Sequence, residues 1–161
     1  MRAATALASL LQTSAPVWHA DQIAVDAATP CVSSGFAALD AELPGGGWPT
    51  GQLVELLARD SGIGELSLLA PALARIAADR PCVWVLPCDD AAHTTALPYP
   101  PALAAAGIAI ERSIFVKPAT PRESLWALEQ SLHTAHLGML VGWLPAGTTR
   151  DGDFRALRRL H

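Results

Sequence analysis

From Gly51 onward the chain alternates between short apolar runs suited to strands and longer segments with helical spacing. Gln52-Leu53-Val54-Glu55-Leu56-Leu57 predicts a strand, and the loop Arg59-Asp60-Ser61-Gly62-Ile63-Gly64 follows it. Residues 65–78 predict a helix that contains Pro71, which has no N–H to donate and so predicts a kink. Cys82-Val83-Trp84-Val85-Leu86 is nearly continuous in apolar character, the pattern of a strand buried on both faces. Residues 101–106 predict a helix ended by Gly107, and Ser113-Ile114-Phe115-Val116 predicts another strand. Residues 122–136 predict a helix with Leu125, Leu128 and Leu132 on one buried face. Gly138-Met139-Leu140-Val141-Gly142-Trp143 predicts the last strand, and residues 153–161 begin a final helix. Strands alternating with helices of this length predict an α/β fold, a mostly parallel sheet with right-handed crossovers and helices on both faces.

The part before Gly51 is patterned differently. Residues 1–13 predict a short helix with Leu7, Leu10 and Leu11 on one side, with Pro16-Val17-Trp18 just beyond it. Residues 19–33 are mixed, contain Pro30, and read as a linker strap crossing the surface. Ser34-Gly35-Phe36-Ala37-Ala38-Leu39-Asp40 predicts a short helix, and Gly45-Gly46-Gly47-Trp48-Pro49 a turn that uses the freedom of glycine at positive φ. The expected organisation is a helix and strap over residues 1–33 and a core over residues 34–161. Because the sequence stops at Arg158-Arg159-Leu160-His161 within a helical pattern, that core is expected to be truncated there.

Composition narrows the function classes. The 161 residues are 51% hydrophobic and 16% charged, enough apolar material for one domain with a core. A net charge of -4 argues against a broad nucleic-acid footprint and leaves only a local patch. Cys31, Cys82 and Cys88 form no CxxC pair and are odd in number, so neither a disulfide framework nor structural zinc is expected and a reducing compartment suits them. The longest apolar stretch, residues 137–147, is far short of the ~20 residues of a membrane-spanning helix. The apolar start is short, runs into Gln12, Thr13 and Ser14, and has no small-x-small cleavage site, so it reads as an amphipathic helix rather than a secretory signal. The expected location is cytoplasmic.

The loop at residues 59–64 has the setting of a phosphate-binding loop, where backbone N–H groups and a helix N-terminus cradle phosphates, a lysine reaches the terminal ones and a hydroxyl holds magnesium. Its chemistry is inverted. The first position is Arg59 instead of glycine, and the lysine and hydroxyl positions hold Glu65 and Leu66. A carboxylate about 4 Å from a phosphate oxygen is repelled by about 4 kcal/mol at an effective dielectric of ~20. Ser67 comes one residue too late to replace the hydroxyl, and Lys117, the only lysine, falls at the end of a strand far along the chain. As a structural element, an acidic side chain in the first helical turn complements the helix dipole and satisfies free N–H groups. The loop Ser61, Gly62, Gly64, Glu65 is therefore read as a vestige, with no catalytic residue, cofactor or metal expected.

The run Ser34-Gly35-Phe36-Ala37-Ala38-Leu39-Asp40-Ala41-Glu42-Leu43-Pro44-Gly45-Gly46-Gly47-Trp48-Pro49, followed by Gly51-Gln52-Leu53-Val54-Glu55-Leu56-Leu57, resembles the entry to the ATPase core of RecA-type recombinases. With Gly62-Ile63-Gly64-Glu65-Leu66 added, it is more closely similar to the ImuA family, RecA-like accessory proteins of bacterial mutagenesis cassettes that are sometimes labelled SulA-type. The resemblance continues through Tyr99-Pro100-Pro101-Ala102-Leu103-Ala104-Ala105-Ala106-Gly107, Leu125-Trp126-Ala127-Leu128-Glu129-Gln130 and Gly138-Met139-Leu140-Val141-Gly142-Trp143-Leu144-Pro145, and Pro16-Val17-Trp18 looks like the family's N-terminal tryptophan segment. It implies a RecA-like P-loop NTPase fold. It also implies a role in damage-induced, error-prone DNA synthesis beside a Y-family-like polymerase homologue (ImuB) and an error-prone replicative-type polymerase, with RecA or a second copy as further candidate partners. Trp143 stands near where a recombinase aspartate would support magnesium, and Pro87, Cys88, Asp89 and Asp90 follow the strand where a catalytic glutamate is expected. The resulting expectation is a non-catalytic adaptor; the alternatives are a divergent ATPase using Arg59 or a neighbouring subunit, and a SulA-like inhibitor of a division GTPase. DNA binding stays open.

Further residues carry chemistry suited to a site or to plain structure. Asp89, Asp90 and His93 share a loop at the carboxyl end of a strand, suited to a metal or acid–base role or to plain solvation. His133 and His136 stand i, i+3 on a helix but lack a third ligand in sequence reach. Cys82 and Cys88 read as small buried thiols. Trp84 and Trp143 read as core, Trp126 as packed on its helix, and Trp18 and Trp48 as candidate partner anchors or as packing for the strap. Arg150, Arg155, Arg158 and Arg159 make a basic stretch, and the last three are candidate contacts for a partner's acidic patch.

Overall fold

A computed structural model describes residues 29–58, 60, 62–88 and 96–144 of the chain. The predicted helices at 1–13 and 153–161 lie outside them.

Strand β3 (Cys82–Val85) is the centre of a three-stranded sheet, with β4 (Ser113–Val116) on one side and β5 (Met139–Gly142) on the other, both parallel to it. Cys82 stands opposite Ser113 and Met139, and Val85 opposite Val116 and Gly142. All four β3 residues are buried, and their alternation divides the core. Cys82 and Trp84 belong to a cluster with Leu73 of α2 (Glu65–Ile76), Ala77, Leu103 of α3 (Pro100–Ala105), Ile108 and Met139. Val83 and Val85 pack with Ala127 and Leu128 of α4 (Pro121–Leu132). The protein is thus a mixed α/β fold whose parallel sheet carries helices on both faces, as the pattern predicted.

Trp84 is the largest fully buried side chain among the described residues. Its ring stacks on Phe115 at 5.9 Å and on Trp143 at 6.5 Å, and its indole N–H donates to Ser113 Oγ at 3.3 Å. That bond matters because a buried N–H left unpaired loses its water without replacement.

A second, smaller sheet pairs β1 (Cys31–Val32) with β2 (Trp48–Pro49) antiparallel, with α1 (Ala37–Glu42) between them in the chain. Gly45 and Gly46, at φ 81° and 76°, turn the chain into β2, and a Cβ on Gly47 would collide with the Val32 carbonyl. Residues 31–32, expected within a linker strap, are therefore a paired strand, because its partner is supplied from beyond α1. Asp40 ties this region together: its carboxylate accepts from Ser33 Oγ at 2.6 Å and from the Ser34 N–H at 2.8 Å. Arg75 of α2 donates to the Ser33 carbonyl at 3.4 Å, anchoring the small sheet to the larger body.

Three expectations are corrected. Residues 52–57, predicted as a strand, join neither sheet, and Leu53, Val54, Leu56 and Leu57 are exposed. An apolar run states which side chains favour burial but not which strand edge will accept the backbone. The predicted helix 122–136 begins one residue earlier and ends at Leu132, which is exposed. Leu125 and Leu128 are buried as predicted, and the rest of that face is Ser124, Ala127 and Ser131, the serine hydroxyls donating back to the Thr120 and Ala127 carbonyls. Small residues suit that face because β5 approaches closely: a Cβ on Gly142 would come within 2.5 Å of a Leu128 methyl. Finally, the helix predicted over 65–78 runs through Pro71 and ends at Ile76, two residues before the predicted boundary.

Candidate functional site

Gly62 and Gly64, at φ 78° and 119°, curl the loop so that its N–H groups converge in front of α2. The acceptor they meet is the next residue's own side chain. Glu65 Oε1 accepts from the Gly62 N–H at 2.8 Å and Oε2 from the Gly64 N–H at 3.1 Å. The Gly62 N–H does most to hold the Glu65 carboxyl below its ordinary range, burial opposes it, and the N–H groups of Glu65, Gly64 and Ile63 add to the lowering. The carboxylate therefore stays ionised and caps the helix, as its first-turn position predicts.

Beside this loop lies a cavity of about 190 Å³ whose walls include Gly62, Gly64, Glu65, Ser67, Tyr99 and Trp143. Trp143 directly follows β5, so the cavity opens at the carboxyl end of the parallel sheet, where α/β folds place their sites. Its chemistry is a carboxylate and aromatic walls. An indole stands just beyond the end of β5, and it is held there by stacking on Trp84. Leu66 packs against the core and presents no hydroxyl, while Ser67 reaches the cavity wall. Lys117 follows β4 and is not part of that wall.

The remaining candidates divide. Trp48, proposed as a free anchor or as packing, is half-buried in β2, and its Nε1 is buried with no hydrogen-bond acceptor among the described residues. Trp84 is core and Trp143 is half-buried, but Trp126, expected to pack on its helix, is 62% exposed. Cys82 and Cys88 are buried thiols, and burial pushes the Cys82 thiol up. His133 caps α4 and His136 lies beyond it at φ 61°, so the two do not share a helical face. No group of three or more His, Cys, Asp or Glu residues suited to a metal occurs among the described residues. Arg59, Ser61, Asp89, Asp90, His93, Trp18, Arg150, Arg155, Arg158 and Arg159 lie outside them.

Sequence reasoning missed the wall formed by residues 96–99. Its available signal was Tyr99, the one tyrosine in the chain, set directly before Pro100-Pro101 at a helix start. No helix among the described residues is long and apolar enough to cross a membrane. Neither a family model nor a curated protein sequence matches the chain.

Proposed function

We propose that this chain is a RecA-like domain of the ImuA type that has lost phosphate chemistry and works as a non-catalytic adaptor in damage-induced, error-prone DNA synthesis. Its partners under this reading are the Y-family-like polymerase homologue and the error-prone replicative-type polymerase of such a cassette. The observation that carries the loss of phosphate chemistry is the Glu65 carboxylate seated on the Gly62 and Gly64 N–H groups. A nucleotide phosphate would have to displace a covalently tethered anion from those donors and then sit against its charge. The partner assignment rests on the sequence resemblance. The parallel sheet with helices on both faces is compatible with it, while the unpaired segment 53–58 is not what an intact phosphate-loop strand would give.

Two measurements test the two halves separately. A ligand that binds only the native state raises its unfolding midpoint. Millimolar ATP with magnesium is therefore expected to leave the midpoint unmoved, and an upward shift would favour a divergent ATPase. Pull-down against the polymerase homologue is expected to retain the chain. Retention on a division GTPase instead would favour the SulA-like alternative and overturn the adaptor assignment.

A further inference from the structure

The cavity beside the loop holds charge of one sign. Among the described residues its walls include the Glu65 carboxylate and the Tyr99 and Trp143 rings, and no lysine or arginine. Glu65 Oε1 and Oε2 each accept one N–H, from Gly62 and Gly64, which leaves each oxygen a further lone pair. The N-terminus of α2 carries only about half an elementary positive charge, so a unit carboxylate leaves the site negative. Its aromatic walls are positioned by the fold. Trp143 stacks on the buried Trp84 at 6.5 Å, and the Tyr99 backbone caps α3 directly before Pro100 and Pro101. Tyr99 is nonetheless 68% exposed.

At about 190 Å³ the cavity is smaller than the ~300–1,000 Å³ of a site for a drug-sized ligand, and it suits the head of a single side chain. Aromatic faces attract cations through their quadrupole, and a carboxylate adds a full charge to that attraction. A guanidinium answers both features. Its plane stacks on a ring while its forked N–H groups reach two carboxylate oxygens, and it sheds water more readily than an ammonium. We propose that the cavity walled by Glu65, Tyr99 and Trp143 binds the guanidinium of an arginine side chain presented by another polypeptide. Free arginine is disfavoured there because it brings its own carboxylate toward Glu65. The inference uses none of the sequence resemblance and does not depend on the adaptor reading.

The test titrates the isotope-labelled 161-residue chain with capped arginine (the N-acetyl, N-methylamide derivative) and follows the Gly62, Gly64 and Glu65 amides and the Trp143 indole by NMR. Saturable shifts of these signals at about millimolar concentration are expected. Capped citrulline, similar in shape but neutral, is expected to bind about tenfold more weakly. Capped lysine and free arginine are each expected to bind more weakly than capped arginine. Glu65→Gln is expected to weaken binding about tenfold and Tyr99→Leu about threefold, whereas Tyr99→Phe keeps both ring and affinity. Because Tyr99 is exposed, its two variants report on the cavity without disturbing the core. No saturable shift, shifts confined to other parts of the chain, or equal or tighter binding of capped citrulline, capped lysine or free arginine would each overturn the proposal. So would an affinity unmoved by Glu65→Gln or by Tyr99→Leu.

Discussion

Glu65 seats its own carboxylate on the converging N–H groups of the loop before α2, those of Gly62 and Gly64. Its folded pKa is lowered from the ordinary 4.5, so its contribution to stability is fully present above that value and is lost as the pH falls through the lowered one. Glu65→Gln is expected to destabilise the protein by about 1 kcal/mol at neutral pH, the usual worth of a helix cap with its dipole interaction. Urea titrations of both chains at falling pH should show the difference shrinking below the ordinary carboxylate range. A difference that stays constant down to strong acid would mean the carboxylate charge is not what caps α2. This residue was legible in the sequence because a carboxylate in the first helical turn, beside a glycine-bearing loop, has free N–H groups within its own reach. The Tyr99 wall was not, since it reaches the cavity from a sequence-distant loop.

Helix α4 shows what an element carries in its own residues. Thr120 Oγ1 accepts from the Glu123 N–H at 3.2 Å, and the Glu123 carboxylate reaches back to the Ala119 N–H at 2.9 Å, with Pro121 at the first helical position. Thr-x-x-Glu with proline inside it fixes the start of the helix, one residue before the predicted boundary. Thr120→Ala is expected to reduce stability by about 1 kcal/mol in chemical denaturation. The small sheet depends instead on contact between segments. Gly47→Ala places a methyl group against the Val32 carbonyl, and the resulting backbone shift is expected to weaken β1–β2 pairing at a loss of about 1–3 kcal/mol. Faster amide exchange at Thr50, whose N–H donates to the Pro30 carbonyl at 2.8 Å, would register that loss, and unchanged exchange would argue against it. The strand at 31–32 was invisible beforehand for the same reason: two residues have no periodicity, and their partner is chosen by a turn of three glycines.

Across the whole molecule, Trp84 joins the central strand to both neighbours by stacking on Phe115 and Trp143. Trp84→Ala is expected to lower stability by about 3–5 kcal/mol, and unfolding by urea with circular dichroism measures it. Local chemistry determined the strands β3, β4 and β5, the helices after Gly64, Tyr99 and Thr120, and the carboxylate that meets the loop N–H groups. Each follows from interactions within a few residues, where side-chain period, caps and glycine conformations act directly. Tertiary structure alone decided that residues 53–58 stay out of the sheet, that Leu132 and Trp126 face outward while Ser124 and Ser131 are buried, and that the β5 indole closes the cavity. Those outcomes depend on which edges and faces meet in space, and a strand edge or a helix face has no way to encode its neighbour in its own sequence.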